Sequence, residues 1–263
     1  MNLREKYGEW GIILGATEGV GKAFCEKLAG GGMNVVMVGR RGAVLEELGR
    51  EIKEKYGVEY KVVQADLSLS DTPGKIFVET DGLDMGFMSY VACLHSFGKI
   101  QDTPWEKHEA MLNVNVITFM KCFYHYMQIF AAQDRGAVIN VSSMTGVSSS
   151  PWNGQYGAGK AYILKMTEAV ACECEKTGVD VEVITLGTTL TPSLLNNLPG
   201  GPAGEAVMKR AQTPEEVVDE AFEKLGKEFS VIAGETNKKN IHDWKANHTE
   251  DEYIRYMGSF YQN

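Results

Sequence analysis

The chain has 263 residues, of which 44% are hydrophobic and 23% charged; this excludes a disordered chain and supplies enough apolar side chains for one large core. Acidic residues outnumber basic ones, 35 to 26, for a net charge of −9, which excludes an ordinary electrostatic nucleic-acid binder. No apolar run reaches the roughly 18 residues of a membrane span, and the polar start of the chain lacks a secretory core. The five cysteines are odd in number and lack any CxxC spacing, so a reduced, cytoplasmic protein is expected. His242 and His248 do not form a zinc-binding pair, and no metal is assigned.

In chain order, the strand Gly11–Leu14 runs through a glycine turn into the helix Val20–Ala29. The strand Val35–Val38 leads to the helix Ala43–Tyr56, where Glu and Lys recur at helical spacings. The strands Tyr60–Ala65 and Gly86–Ala92 follow, then a long apolar helix over Val114–Gln133. The strand Ala137–Val141 precedes a second long helix, Tyr156–Lys176, and the strands Val181–Leu186 and Phe229–Ala233 come last. These strands are short, rich in Val, Ile and aromatics, and mostly without polar alternation, as strands covered on both faces read. Strand–helix alternation of this kind makes βαβ units and a parallel sheet. One α/β domain over residues 1–263 is expected. The segment 188–204, rich in Thr, Pro, Gly, Leu and Asn, reads as a mobile loop or lid, and 235–263 as a C-terminal tail.

The turn after the first strand is Gly15-Ala-Thr-Glu-Gly19-Val-Gly21. Gly15 permits the tight turn, Gly19 lets backbone approach a pyrophosphate, and Gly21 lets the helix pack close to the strand. The phosphates would rest on the amides at the helix N-terminus. This context predicts a Rossmann-like, doubly wound sheet of about seven parallel strands with helices on both faces. Gly15, Thr17, Glu18, Gly19, Val20 and Gly21 are expected around the phosphates. A fold that takes NAD often carries an acid after the second strand; here Val38 is followed by Gly39, Arg40 and Arg41. Two guanidinium groups suit a 2′-phosphate through bidentate, charge-assisted hydrogen bonds, so NADP(H) is expected. Glu18, an acid in the same region, cuts against that reading. Asp66 and Leu67 end the third strand, where the Asp66 carboxylate is placed to accept from the adenine amino group.

Tyr156-Gly-Ala-Gly-Lys160 sets a phenol and an ammonium on one helix face. A neighbouring ammonium is expected to lower the phenol's ordinary pKa of about 10 and make Tyr156 a usable acid and base. Ser143 ends the buried strand before this helix, so its hydroxyl and the phenol can converge on one substrate oxygen. Asn115 lies within the first long helix, where bonding to backbone is an equal explanation for a polar residue.

Gly15-x-x-x-Gly19-x-Gly21, Asn115, Ser143 and Tyr156-x-x-x-Lys160, in this order and spacing, resemble the short-chain dehydrogenase/reductases over nearly the whole chain. The resemblance implies a seven-stranded parallel sheet and hydride transfer between a nicotinamide and a carbonyl/alcohol pair. It implies that Tyr156 is the acid/base and that Ser143 hydrogen-bonds the substrate oxygen. It also implies that Lys160 holds the nicotinamide ribose and tunes Tyr156, and that Asn115 anchors a proton-relaying water. Three positions depart from the family's pattern. Tyr90-Val91-Ala92-Cys93 stands where Asn-Asn-Ala-Gly is usual, which leaves the backbone near Ala92 to line the adenosine side. Leu186-Gly187 stands where Pro-Gly is usual, with Thr189 and Thr191 still placed to meet the carboxamide and phosphates. Glu18 stands where NADP-dependent members often carry a base, which puts the 2′-phosphate on Arg40 and Arg41.

Wider segments are similar to a narrower group, the 7β-hydroxysteroid dehydrogenases of intestinal bacteria. They are the run from Tyr90 to Gln101, the run from Ser142 to Tyr156, and His242-Asp-Trp-Lys-Ala-Asn-His. That likeness implies NADP(H)-linked interconversion of a 7-keto and a 7β-hydroxy bile acid; family likeness implies a homodimer or homotetramer through the two long helices. A steroid calls for an apolar cleft with few polar contacts. The segment Thr189–Pro202 offers Leu190, Leu194, Leu195 and Leu198. The tail offers Trp244, Tyr253, Tyr256, Met257, Phe260 and Tyr261, partly at helical spacing; packing on the domain itself or on a partner subunit explains that stripe as well. His95, after the fourth strand, reads equally as a structural hydrogen-bonder and as a substrate contact. Two alternatives stay open: the same chemistry on a 3-oxoacyl thioester or another ketone, and a non-catalytic dinucleotide-binding protein.

Overall fold

Strands without polar alternation need cover on both faces, and the sheet is built that way. The computed structural model describes residues 2–196 and 201–259. Its strands are β1 (Trp10–Leu14), β2 (Asn34–Gly39), β3 (Tyr60–Gln64), β4 (Met85–Tyr90), β5 (Gly136–Ser143), β6 (Val179–Leu186) and β7 (Ser230–Ile232). They form one seven-stranded sheet in the order β3-β2-β1-β4-β5-β6-β7, with every pairing parallel. Successive side chains go to opposite faces: Ile13, Val35 and Met37 join one apolar core, while Ile12, Leu14, Val36 and Val38 join the other.

The helices are α1 (Leu3–Tyr7), α2 (Gly19–Gly30), α3 (Gly42–Tyr56), α4 (Thr72–Thr80), α5 (Trp105–Leu112), α6 (Phe119–Gln133), α7 (Met144–Val147) and α8 (Gly154–Glu173). They continue with α9 (Pro192–Leu195), α10 (Gly201–Met208), α11 (Pro214–Lys224), α12 (Glu235–Asn247) and α13 (Glu250–Ser259). The first core takes Phe24 of α2, Leu48 of α3 and Phe222 of α11; the second takes Ile76 of α4, Phe123 and Tyr126 of α6, and Ile163 of α8. The strand order reverses between β1 and β4, which opens a crevice at the carboxyl ends of the strands. Among the described residues, no helix is long and apolar enough to cross a membrane.

Several segments differ from their sequence expectation, α4 and the helices α12 and α13 of the tail among them. The helix expected over Val114–Gln133 is a longer, interrupted run: α5, a π-helical turn over Asn113–Thr118, then α6. The widened turn loosens the backbone ladder, and side chains compensate: Tyr90 Oη donates to Val114 O at 2.6 Å and Thr118 Oγ1 to Leu67 O at 2.9 Å. The segment read as a loop over 188–204 carries α9 and the start of α10. Thr191 caps α9 by accepting from Leu194 N, with Pro192 at its first position, a start signal that is local and strong. Residues 197–200, and Leu198 with them, lie outside the described residues, as do Phe260 and Tyr261. Helix α11 had no counterpart in the sequence reading, although Thr213, Pro214 and Glu216 form a capping box at its start that is legible in the residue types.

Candidate active site

The β1–α2 turn is closed in by backbone. Gly15 has φ +100°, and a Cβ there would lie 2.6 Å from Ala92 N. Gly19 has φ +54°, and a Cβ there would lie 2.9 Å from Thr191 Cγ2, while one on Gly21 would press on Gly15 O. Only glycine meets both demands, left-handed backbone and no side chain. Val91 N and Ala92 N both donate to Leu14 O, at 2.9 and 2.8 Å, which seats the segment after β4 against this turn. No side chain caps the first turn of α2, whose N-cap is Glu18, and Gly19 and Val20 line the cleft. Uncapped amides at a helix start fit an anionic pyrophosphate.

Thr17, Arg40, Arg41, Asp66 and Leu67 line the same cleft. Arg41 is ion-paired to Glu18, so the acid of the glycine turn is neutralised by one of the two expected phosphate ligands. Gln64 Nε2 donates to Arg40 O at 3.2 Å, fixing the backbone there. Asp66 Oδ1 accepts from Ser68 N at 2.9 Å and from Ser68 Oγ at 2.7 Å. These bonds, with a smaller share from the Arg40 charge, hold its carboxyl below the usual range. Asp66 therefore faces the cleft as an anion with one oxygen already engaged.

The reactive end forms where α8 packs on the π-helical turn. A Cβ on Gly159 would lie 2.8 Å from Asn115 Cβ, and one on Gly157 would lie 2.8 Å from Thr145 O. The small residues between Tyr156 and Lys160 thus let the helix come close enough to join Asn115, Ser143, Tyr156 and Lys160. Ser143 Oγ accepts from Thr145 N at 3.3 Å and from Thr145 Oγ1 at 3.1 Å, and Ser143 and Tyr156 line the same cleft. Lys160, buried, donates from Nζ to Val141 O at 2.8 Å and lies 5.9 Å from the Tyr156 ring centroid. Both polar ends of Asn115 hold Leu94: Oδ1 accepts from Leu94 N at 2.9 Å and Nδ2 donates to Leu94 O at 2.7 Å.

The expected lowering of the Tyr156 phenol by Lys160 is corrected here. Burial pushes the phenol up, the neighbouring Cys93 adds to this, and the nearby Ser143 hydroxyl only partly offsets it. Burial likewise pushes the Lys160 ammonium down. In this arrangement the ammonium spends its bond on a main-chain carbonyl rather than on the phenol. Two further residues share the cleft floor. Cys93, which replaces the usual glycine, and His95 line it beside Tyr156, and the His95 and Tyr156 rings meet edge-on at 5.9 Å.

The cleft has a volume of about 2100 Å³. Thr189, Thr191 and Leu194 line its middle, and Trp244, Tyr253, Tyr256 and Met257 line its outer wall. Trp244 stacks on His248 at 4.0 Å and on Tyr256 at 4.8 Å; Leu190 and Leu195 are not among the lining residues. Arg210, Asn237, Asn240 and Asp243 also line it. The sequence reading missed these residues, because they come from segments whose approach to the sheet edge has no local signal. Thr189 is held in place by a parallel bridge to Gln212.

The profile of the short chain dehydrogenase family matches residues 9–199. A 7beta-hydroxysteroid dehydrogenase of Mediterraneibacter gnavus is 84% identical over 262 residues, covering 100% of each chain. One of Collinsella aerofaciens is 82% identical over 263 residues, again covering 100% of each. A solved structure from a study of 7beta-hydroxysteroid dehydrogenase stereoselectivity superposes with a TM-score of 0.96 at 82% identity, covering 98% of this chain and 100% of that one.

Proposed function

This chain belongs to the short-chain dehydrogenase family, and we propose that it interconverts a 7-keto and a 7β-hydroxy bile acid with NADP(H). The observation that carries substrate and position is the full-length identity of 84% to a protein named for that activity; the geometry supplies a matching site. Ser143 and Tyr156 meet at the floor of a cleft walled by Trp244, Tyr253, Tyr256 and Met257, which suits a rigid apolar ring system with its reacting oxygen inward. Leu194 of the segment after β6 and Trp244, Tyr253, Tyr256 and Met257 of the tail act as the substrate wall.

A bound nicotinamide supplies or accepts the hydride at the substrate carbon. In the reducing direction Tyr156 donates its phenolic proton to the substrate oxygen, and Ser143 holds that oxygen by hydrogen bond. Lys160, on the same helix face, holds the nicotinamide ribose and stabilises the phenolate that forms. The Asn115 side chain holds the Leu94 backbone, so its part in any water relay falls to its main chain. The uncapped start of α2 would hold the pyrophosphate, and Thr189 and Thr191, which line the cleft, would meet the carboxamide and phosphates. Preference for the 2′-phosphate rests on Arg40 and Arg41, with Arg41 released from Glu18 on binding. Exposed Ile117 and Tyr124 on and beside α6 suit the dimer or tetramer that family likeness implies, and a cytoplasmic setting suits the five free thiols.

The test is NADPH oxidation followed at 340 nm with a 7-keto bile acid, a 3-oxoacyl thioester and no substrate, with chromatographic identification of the product epimer. Turnover of the ketosteroid to the 7β alcohol is expected; turnover of the thioester alone would overturn the substrate reading. NADH in place of NADPH checks the cofactor.

A further inference from the structure

We propose that Asn153 is a substrate-recognition residue whose side-chain amide hydrogen-bonds a ring hydroxyl of the ketosteroid. The inference rests on the ketosteroid reading above and adds a polar contact that the apolar wall lacks. Asn153 immediately precedes α8 and lines the cleft. An asparagine at a helix start ordinarily turns its side-chain oxygen onto a free amide of the first turn. Asn153 makes no such cap bond. It is only 6% exposed, and its Oδ1 is buried without a hydrogen-bond partner. A buried amide left unpaired costs free energy until a partner arrives. Two other amides of the lining are already spent: Asn237 Nδ2 donates to Ala233 O and Asn247 Nδ2 to Asp243 O, each at 2.7 Å.

The backbone explains why the cap is missed. Asn153 has φ −135° and ψ 25°, away from the extended backbone that swings a cap side chain over the first turn. Trp152 before it has φ +60°, a left-handed value that a bulky residue holds only under constraint. The constraint is main-chain bonding: Gly98 N donates to Trp152 O at 2.9 Å, and Asn153 N donates to Ser150 O at 3.2 Å. These bonds tie the loop before α8 to the segment after β4 and leave the Asn153 amide to the cleft. Helical pitch then fixes its place relative to the chemistry. Asn153 stands three residues before Tyr156, and Lys160 four after it, so Asn153 adjoins their face at the end away from Lys160. Neighbours at that spacing have Cβ atoms about 5–6 Å apart, close to the span of two fused six-membered rings. With the reacting oxygen at Tyr156 and the cofactor on the Lys160 side, a hydroxyl on a ring adjoining the reacting one falls beside Asn153. On a steroid whose ketone lies in ring B, those hydroxyls belong to ring A and ring C. An amide suits a hydroxyl because it offers a donor and an acceptor to a group that is both.

The experiment measures kcat and KM for 7-keto steroids carrying a ring A hydroxyl, hydroxyls on rings A and C, or neither, in the unaltered protein, Asn153→Ala and Asn153→Leu. The unaltered protein should prefer a hydroxylated steroid to the deoxy one by about tenfold to a hundredfold in kcat/KM, since a site built around a hydroxyl leaves its own polar group unpaired without it. The steroid at which the preference appears names the ring. Asn153→Ala should abolish the preference by raising KM for the hydroxylated steroid. Its kcat, its KM for NADPH and its Tm should change little, because the bond is made in ground and transition states alike. Asn153→Leu, which offers an apolar surface instead, should reverse the preference. A second readout needs no turnover: calorimetric titration of the same steroids into the protein with NADP+, where the hydroxyl-dependent affinity should vanish in Asn153→Leu. Equal kcat/KM of the unaltered protein for all three steroids overturns the proposal, as does a preference that survives in both variants. A loss of equal size on every steroid, with or without a lower Tm, also overturns it and makes Asn153 structural. An unaltered protein that reduces none of the ketosteroids defeats the substrate reading instead; the titration then decides Asn153, and absence of any binding counts against both.

Discussion

The inner and outer halves of the cleft are made of different material. The inner half, around the β1–α2 turn and the start of α8, is largely backbone against backbone: a single Cβ on Gly15, Gly21 or Gly157 would collide with main-chain atoms. The outer half, at α12 and α13, is side chain against side chain, with His248 and Tyr256 stacked on Trp244, Tyr253 edge-on to it, and Tyr256 still 47% exposed. Trp244 Nε1 is buried there without a hydrogen-bond partner. A backbone-built half tolerates little change and holds reacting groups within tight limits. A side-chain wall can be altered residue by residue without moving the sheet, so chemistry belongs to the first half and substrate choice to the second.

The sharpest way to break this division is at the floor. Tyr156→Phe keeps the ring packing and removes the proton donor. Turnover should fall by a factor on the order of 10²–10⁴ with NADPH binding nearly kept. Steady-state kinetics and a fluorescence titration of NADPH measure the two. Retention of most of the kcat would remove Tyr156 from the chemistry.

The next effect lies at the adenosine end. Each charge-assisted bond lost from Arg40 should cost roughly 1.5–3 kcal/mol of NADPH binding, a factor of about ten to a hundred or more. Gly39→Asp with Arg40→Leu should swing kcat/KM toward NADH, because an acid would then face the 2′-hydroxyl. A Cβ on Gly39 would lie 2.9 Å from Thr17 Oγ1, a hydroxyl that can rotate aside. An unchanged ratio of kcat/KM for the two cofactors would move the preference to other contacts.

Removing the outer wall should act on substrate alone. Truncation at Thr249 deletes α13, and with it Tyr253, Tyr256 and Met257 from the cleft. The ketosteroid KM should rise about tenfold, as expected for losing one or two buried aromatic contacts, and KM for NADPH should hold. Selectivity for the 7β epimer is expected to relax, since a rigid ring system amplifies small changes in its wall. Light scattering must first show an unchanged oligomer. An unaltered ketosteroid KM and product epimer would make the tail structural.

The smallest effect serves as a control outside both halves of the cleft, at a buried polar group left unsatisfied in the sheet. Glu182 of β6 is buried with neither carboxylate oxygen bonded. Burial, aided by Glu228 and Glu220, raises its pKa from 4.5 to about 9. The folded state therefore holds a proton that the unfolded chain releases. Its contribution to stability is full below about pH 4.5 and is lost as pH rises toward 9. Glu182→Gln should flatten that slope and raise Tm at pH 8.5, by about 2–4 °C for each kcal/mol recovered, with little change at pH 5. Thermal melts at the two pH values check the sign.

Residue types alone determined whatever depends on neighbours in the chain. Strands β1 to β7 and their parallel sheet follow from short runs without polar alternation. The glycine turn follows from Gly15, Gly19 and Gly21, and the pairing of Tyr156 with Lys160 on one face follows from helical pitch. The capping box at Thr213 was equally local and was available in the sequence. Tertiary structure decided the rest. Whether Arg41 faces solvent or Glu18, whether Asn115 grips a water or Leu94, and whether the Tyr156 phenol is pulled down by Lys160 or pushed up by burial all depend on groups far apart in sequence. The same holds for the meeting of Cys93 and His95 with Tyr156, and for the arrival of Trp244 and Tyr256 at the cleft. Hydrogen bonds, ion pairs and burial act over a few ångströms of space, and chain order does not encode such distances between remote segments until the core has packed.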